Sequence, residues 1–142
     1  MREFHDKSLN YISRYGILHF LTASKHISAN NLKTFLNNRN DININGKHKS
    51  HEGGTALHVA VKNGNYKKAE ILVNKGAKTN IKDNYNNTPF DYVKDKRMET
   101  ILLKPQLKNL ALVYASKGIP VSLAYKFIYN GFSNNRKRIV KG

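Results

Sequence analysis

The chain has 142 residues, which fits one domain, and its 25 Lys and Arg residues against 9 Asp and Glu residues give a net charge of +16. The absence of cysteine excludes disulfides and thiolate metal sites and fits a reducing, intracellular compartment. No apolar run approaches the 18 or so residues of a membrane-spanning helix, and Met1–Asn10 lacks the apolar core of a secretory leader. We treat residues 1–12 as an N-terminal segment.

Residues 13–43 carry a weak form of a pattern that is clearer downstream. Gly16–Leu21 predicts the start of a short helix, and Leu32, Phe35 and Leu36 recur at the spacing of a second helix. Asp41-Ile42-Asn43 then precedes a polar loop that contains Gly46 to Ser50.

Residues 55–76 predict a helix, a turn and a second helix. Thr55 can cap the first helix through its hydroxyl, and Gly64 can take the positive φ of a tight turn. The second helix is predicted over Tyr66–Asn74, with Ala69, Ile71, Leu72 and Val73 on its buried side. Gly76 ends it, and the polar stretch Lys78–Asn87 predicts an exposed loop.

A third unit begins with Thr88–Val93, 33 residues after the matching block Thr55–Ala60. We predict a first helix to about Val93 and a shortened second helix over Arg97–Leu103 that Pro105 stops. Further helices are predicted over Leu107–Gly118 and Val121–Tyr129. Residues 104–133 would form a helical cap or a degenerate fourth repeat, and residues 134–142 a basic tail.

The repeated block resembles the T-P-L-H-x-A signature of the ankyrin-repeat family, with Ala56 in place of its proline. Gly76-Ala77-Lys78-Thr79-Asn80 stands where that family has G-A-D-V-N. The resemblance covers residues 13–103 and implies about three repeats, the first and last degenerate. It predicts an all-α ankyrin solenoid of helix-turn-helix units with finger loops. It also implies that His58, and His19 at the same place, form structural hydrogen bonds to neighbouring loops.

Ankyrin proteins bind other proteins on a concave face formed by the fingers and the first helix of each repeat. The resemblance therefore implies a protein-binding scaffold or adaptor rather than an enzyme, with no cofactor. The lysines suggest a partner with an acidic surface, and we expect Tyr85 to be the main anchor. The predicted contact residues are Tyr15, Lys47, His48, Lys49, His51, Glu52, Lys62, Asn63, Lys82, Asn84, Tyr85 and Asn87.

The sequence also offers other interpretations. The tail residues Arg136, Lys137, Arg138 and Lys141 could neutralise the phosphates of nucleic acid or of an anionic membrane. His48 and His51 lie three residues apart but lack a third ligand nearby, so no metal site is predicted. Paired carboxylates and nucleophile motifs are not evident, which argues against catalysis. Intracellular bacteria and large DNA viruses often direct ankyrin proteins at host proteins, so delivery into a host cell fits the resemblance.

Overall fold

The computed structural model describes residues 16–120, 122–124, 126 and 130. Regular structure within this part of the chain is helical, which confirms the predicted all-α class. The α-helices are α1 (Ile17–Ala23), α2 (Ala29–Asn37), α3 (Ala56–Lys62), α4 (Tyr66–Asn74) and α5 (Lys96–Ser116), and Lys49–His51 and Pro89–Tyr92 form 3₁₀ turns. A search of the same residues found no helix long and apolar enough to cross a lipid bilayer.

The chain divides into two compact units between Leu102 and Leu103. In the first unit, α1 packs against α3 and α2 against α4, so that two helix pairs stack side by side. Their shared core includes Leu18, Leu32, Leu57 and Leu72, all buried. In the second unit, Leu103, Leu107, Ala111 and Ala124 are buried, and the described residues between 122 and 130 are helical.

Local hydrogen bonds fix the helix ends that the sequence predicts. The Thr55 hydroxyl accepts from the backbone N–H of His58, and the ring Nδ1 of His58 accepts from the Thr55 N–H at 2.9 Å, which together form a capping box. At the end of α4, Gly76 has φ of +95°, and the Ala77 N–H donates to the Leu72 carbonyl. This Schellman motif confirms Gly76 as the terminating glycine and Tyr66–Asn74 as the helix.

Lys68 is a buried lysine on α4 that helical periodicity placed outside the core. Its side chain is 2% exposed. Its ammonium donates to the backbone carbonyls of Leu21, Thr22 and Ser24 at 2.8, 3.2 and 2.8 Å. These carbonyls lie at the C-terminal end of α1, where a helix leaves its acceptors unpaired. Lys68 therefore caps the helix of the preceding repeat from a distance of more than forty residues along the chain.

The third unit differs from its prediction in two places. The expected first helix is only a 3₁₀ turn, Pro89–Tyr92, because Val93 already adopts an extended conformation. The predicted stop at Pro105 is wrong, since α5 continues through it from Lys96 to Ser116. Proline removes one backbone donor, but the apolar stripe continues across it at helical spacing, and burial of that stripe offsets the loss. The stripe consists of Leu103, Leu107 and Ala111.

α5 crosses the boundary that we predicted between the repeats and residues 104–133. The assignment of these residues to a cap or a degenerate repeat therefore stays a prediction, and part of the segment lies outside the described residues. The tail, residues 134–142, and the N-terminal segment, residues 1–12, lie wholly outside them.

Candidate interaction surface

Two loops, which we name the first finger (residues 46–54) and the second finger (residues 78–87), each follow a helix pair. In each of the first two repeats, a histidine on the first helix holds the finger that comes after it. His19 Nε2 donates to the Gly54 carbonyl at 2.9 Å, and His58 Nε2 donates to the Asn87 carbonyl at 2.9 Å. This confirms the structural role that the family resemblance implies for both histidines.

Both histidines are neutral at neutral pH, His58 by its hydrogen-bond geometry and both by their lowered pKa. Because Nδ1 of His58 accepts from a backbone N–H, its proton lies on Nε2, which faces the Asn87 carbonyl. Burial lowers the pKa of His58. Burial also lowers the pKa of His19 from 6.5 to about 4, and the hydrogen bond to Gly54 only partly opposes this effect. The fingers are therefore held by uncharged rings at neutral pH.

The first finger folds back on itself around a 3₁₀ turn. The His48 N–H donates to the Gly54 carbonyl at 3.1 Å, and the Gly53 N–H donates to the His48 carbonyl at 3.0 Å. The rings of His48 and His51 lie 5.4 and 5.3 Å from the ring of His19, and both residues are half-buried. These two predicted contact residues thus also support the finger from within. A search of the described residues found no group of three or more His, Cys, Asp or Glu arranged to hold a metal ion.

The second finger is organised by Asp83, which is 5% exposed. Its Oδ1 accepts from the backbone N–H of Tyr85 at 2.9 Å and of Asn87 at 3.0 Å, while Oδ2 accepts from the Tyr92 hydroxyl. Burial alone would raise the pKa of Asp83, but these hydrogen bonds outweigh it and hold the pKa below its usual value. Sequence reasoning missed Asp83. The available signal was its residue type, because an Asp side chain in a polar loop often accepts from the backbone N–H two residues later and so forms a turn.

The two fingers are joined to each other and to α3. The Asn84 N–H donates to the Glu52 carbonyl at 2.9 Å. The Glu52 carboxylate accepts from the Lys62 ammonium at 2.9 Å, and that ammonium lies 4.4 Å from the centre of the Tyr92 ring. Lys62 is therefore fixed and its charge is partly neutralised. The predicted contact residues of the two fingers and α3 form one connected surface.

The exposed side chains of this surface are the ones a partner could reach. Tyr85 is 64% exposed at the tip of the second finger. The other exposed predicted contacts are Lys47, Lys49, Glu52, Asn63, Lys82 and Asn84. Asn87 is half-buried, and its backbone is engaged on both sides by His58 and Asp83. Tyr15 and the tail residues Arg136, Lys137, Arg138 and Lys141 lie outside the described residues.

Phe20 belongs to the same kind of surface and was missed in the sequence. It is 56% exposed on α1, beside His19. Its place in the repeat is the one that Val59 occupies in α3, where the side chain is 6% exposed. The available signal was a large aromatic residue at the variable position x of the T-P-L-H-x-A signature.

Comparison with known proteins agrees with this architecture. A family model described as ankyrin repeats (3 copies) matches residues 18–105, more than half of the chain. Searches of curated proteins and of solved structures gave no match. Ankyrin repeats are protein-protein interaction modules and typically act without catalysis. With its paired helices, histidine-anchored fingers and matching residues, the chain belongs to the ankyrin-repeat family.

Proposed function

We propose that this chain is a scaffold or adaptor that binds an acidic surface of another protein through its two fingers and the first helices of its repeats. One observation carries the proposal, namely that Tyr85 is 64% exposed on a finger whose backbone is held in place. Asp83 fixes the turn on which Tyr85 stands, and Glu52 accepts the N–H of Asn84 beside it. An aromatic residue on a backbone that is already positioned loses less conformational freedom on binding than one on a mobile loop, which favours its use as an anchor.

The charge around this anchor supports an acidic partner. Lys47, Lys49 and Lys82 are exposed on the two fingers. Glu52, the acidic residue among the predicted contacts, is paired with Lys62. Positive charge on the rim mainly accelerates association, because it steers an acidic surface towards the fingers over roughly one Debye length, about 8 Å at physiological salt.

Phe20 extends the proposed surface onto α1 and supplies a second aromatic contact. Exposed aromatic residues are enriched at the centres of protein interfaces. The partner would accordingly present apolar side chains surrounded by carboxylates. The absence of cysteine is consistent with action inside a cell, and use against host proteins is one setting in which the family acts.

The test is an affinity capture from nuclease-treated cell lysate at physiological salt, with three baits in parallel. The baits are the wild type, Tyr85→Ala, and Tyr114→Ala as the matched control. Tyr114 is 37% exposed on α5 and belongs to neither finger. We expect one protein at near-equimolar ratio on the wild-type and Tyr114→Ala baits and its loss on Tyr85→Ala. With the purified partner, calorimetry should show a loss of about 2 kcal/mol for Tyr85→Ala.

Two outcomes would contradict the proposal. Equal capture by all three baits would remove Tyr85 from the interface. Capture of nucleic acid before nuclease treatment and of no protein after it would favour the basic tail, and deletion of residues 134–142 should then abolish that binding.

A further inference from the structure

A groove lies between α2 and α4, the second helices of the first two repeats. Its volume is about 400 Å³. One wall is formed by Ala29, Asn30 and Lys33 and the other mainly by Lys67, Ile71 and Asn74. Residues at such spacings share one side of a helix, so each wall follows from helical periodicity. The groove shares no residue with the two fingers or with α1 and α3.

Lys75 and Glu70 complete the lining. The Lys75 ammonium donates to the Asn37 side-chain carbonyl, which links the C-terminal ends of α4 and α2. The lining thus includes three lysines, Lys33, Lys67 and Lys75, against one acidic residue. Half-buried Ile71 and Ala29 add apolar surface between the charges.

We propose that this groove is a second binding site, which takes an acidic peptide segment of a partner protein with an apolar side chain between its carboxylates. Lys33, Lys67 and Lys75 are complementary in charge to the carboxylates of such a peptide, and Ile71 offers a contact to its apolar side chain. The amides of Asn30 and Asn74 can donate to or accept from the peptide backbone. The volume is within the range of about 300–1,000 Å³ typical of ligand pockets.

Other anions fit the groove less well. A single phosphate is far smaller than 400 Å³ and would leave Ile71 without a contact. Single-stranded nucleic acid binds by stacking its bases on aromatic rings, and the lining contains no aromatic residue. Because the groove and the fingers share no residue, variants of one surface leave the residues of the other unchanged. This site stands independently of the proposed finger interface.

The experiment is a fluorescence anisotropy titration of the full chain with a fluorescein-labelled peptide rich in Asp and Glu around a central Leu. The same peptide with Asn and Gln in place of the acids, and an oligothymidylate, serve as comparison probes. The groove variant is Lys33→Glu/Lys67→Glu. The control is Lys25→Glu/Lys94→Glu, which changes the net charge equally at two exposed lysines outside the groove. Circular dichroism verifies that each variant is folded.

We expect the acidic peptide to bind the wild type and to bind the groove variant about tenfold more weakly. The control variant should lose less than about threefold in affinity. Asn74→Trp, which fills the groove without changing its charge, should weaken binding as well, and Tyr85→Ala should leave it unchanged. Equal losses in both charge variants would overturn the proposal, since net charge alone would then explain binding. Two further results would overturn it. One is that oligothymidylate binds more tightly than the peptide and is weakened equally by the groove substitutions, and the other is that the peptide does not bind.

Discussion

Lys68 places a charge in the core where repeat stacking would accommodate an apolar side chain. Burial lowers the pKa of its ammonium, and the environment offers three backbone carbonyls as compensation. Because α1 has only seven residues, it has few internal hydrogen bonds, and additional donors at its end contribute much to its stability. The lysine donates hydrogen bonds to the unpaired carbonyls at the end of α1 and so joins the first repeat to the second.

Replacing this lysine tests that role. Lys68→Met keeps an unbranched apolar side chain but removes the donor, so the carbonyls of Leu21, Thr22 and Ser24 lose their shared partner. We expect the free energy of unfolding to fall by about 2 kcal/mol, measured by urea denaturation followed by circular dichroism. Lys67→Met, on the exposed neighbour in the same helix, should change stability by less than about 0.5 kcal/mol. Equal stability of the two variants would mean that Lys68 contributes only packing.

At the scale of the element, α5 is unusual because it contains a proline within 21 helical residues. Pro105 cannot donate to the carbonyl of Ile101, four residues earlier, and its ring crowds that turn. Burial of Leu103, Leu107 and Ala111 on one side maintains the helix despite this cost. A proline is therefore a weaker signal for the end of a helix when the apolar residues before and after it continue at the same helical spacing.

This account predicts that Pro105→Ala stabilises the protein. Alanine would restore one backbone hydrogen bond and relieve the ring contact, and we expect a gain of about 1–3 kcal/mol in the free energy of unfolding. Thermal and urea denaturation measure the change. Pro120→Ala, at a position outside the helices of the described residues, should have little effect. A loss of stability in Pro105→Ala would indicate that the helix ends at the proline.

At the scale of the molecule, stability depends on uncharged histidines in a chain that already carries a net charge of +16. Burial lowers the pKa of His19, His51 and His58. An unfolded chain protonates such a group near pH 6.5, whereas folded His19 takes up its proton only near pH 4. Between these values the unfolded state binds more protons, so acidification favours unfolding.

We therefore expect the free energy of unfolding to be insensitive to His19 above pH 6.5 and to fall as the pH drops from 6.5 towards 4. His19 should contribute about 3 kcal/mol of this loss. Urea midpoints measured across the pH range provide the readout. His19→Gln should flatten the profile, and His26→Gln, at an exposed histidine, should retain the wild-type profile. A profile that His19→Gln leaves as steep as before would contradict this assignment.

The sequence predicted best where one local signal decides the structure. Thr55 and Gly76 mark their helix ends by intrinsic capping chemistry, and both were confirmed. The resemblance to ankyrin repeats also predicted His19 and His58 as finger supports. The position of Tyr85 in a finger loop follows from the same resemblance, and its side chain is exposed.

The sequence failed where the outcome depends on neighbours from another repeat. The predicted buried side of α4 did not include Lys68, because helical periodicity carries no information about the α1 carbonyls that its ammonium meets. The predicted helix stop at Pro105 took account of the local effect of proline but not of the burial of the neighbouring apolar residues, which opposes it. The Glu52–Lys62 pair joins a finger to a helix ten residues later, and this pairing partly neutralises the charge of one of the predicted contact lysines.

The bonds between repeats also bear on how the chain folds. The contacts from His58 to Asn87, His19 to Gly54 and Lys68 to Leu21 join residues 29, 35 and 47 positions apart. Loop-closure entropy rises only slowly over such lengths, and closing a much longer loop is not required for any of these three contacts. The second repeat contributes a residue to two of them, His58 and Lys68. Folding can therefore nucleate there and spread outward in both directions, at the rates typical of proteins with mostly local contacts.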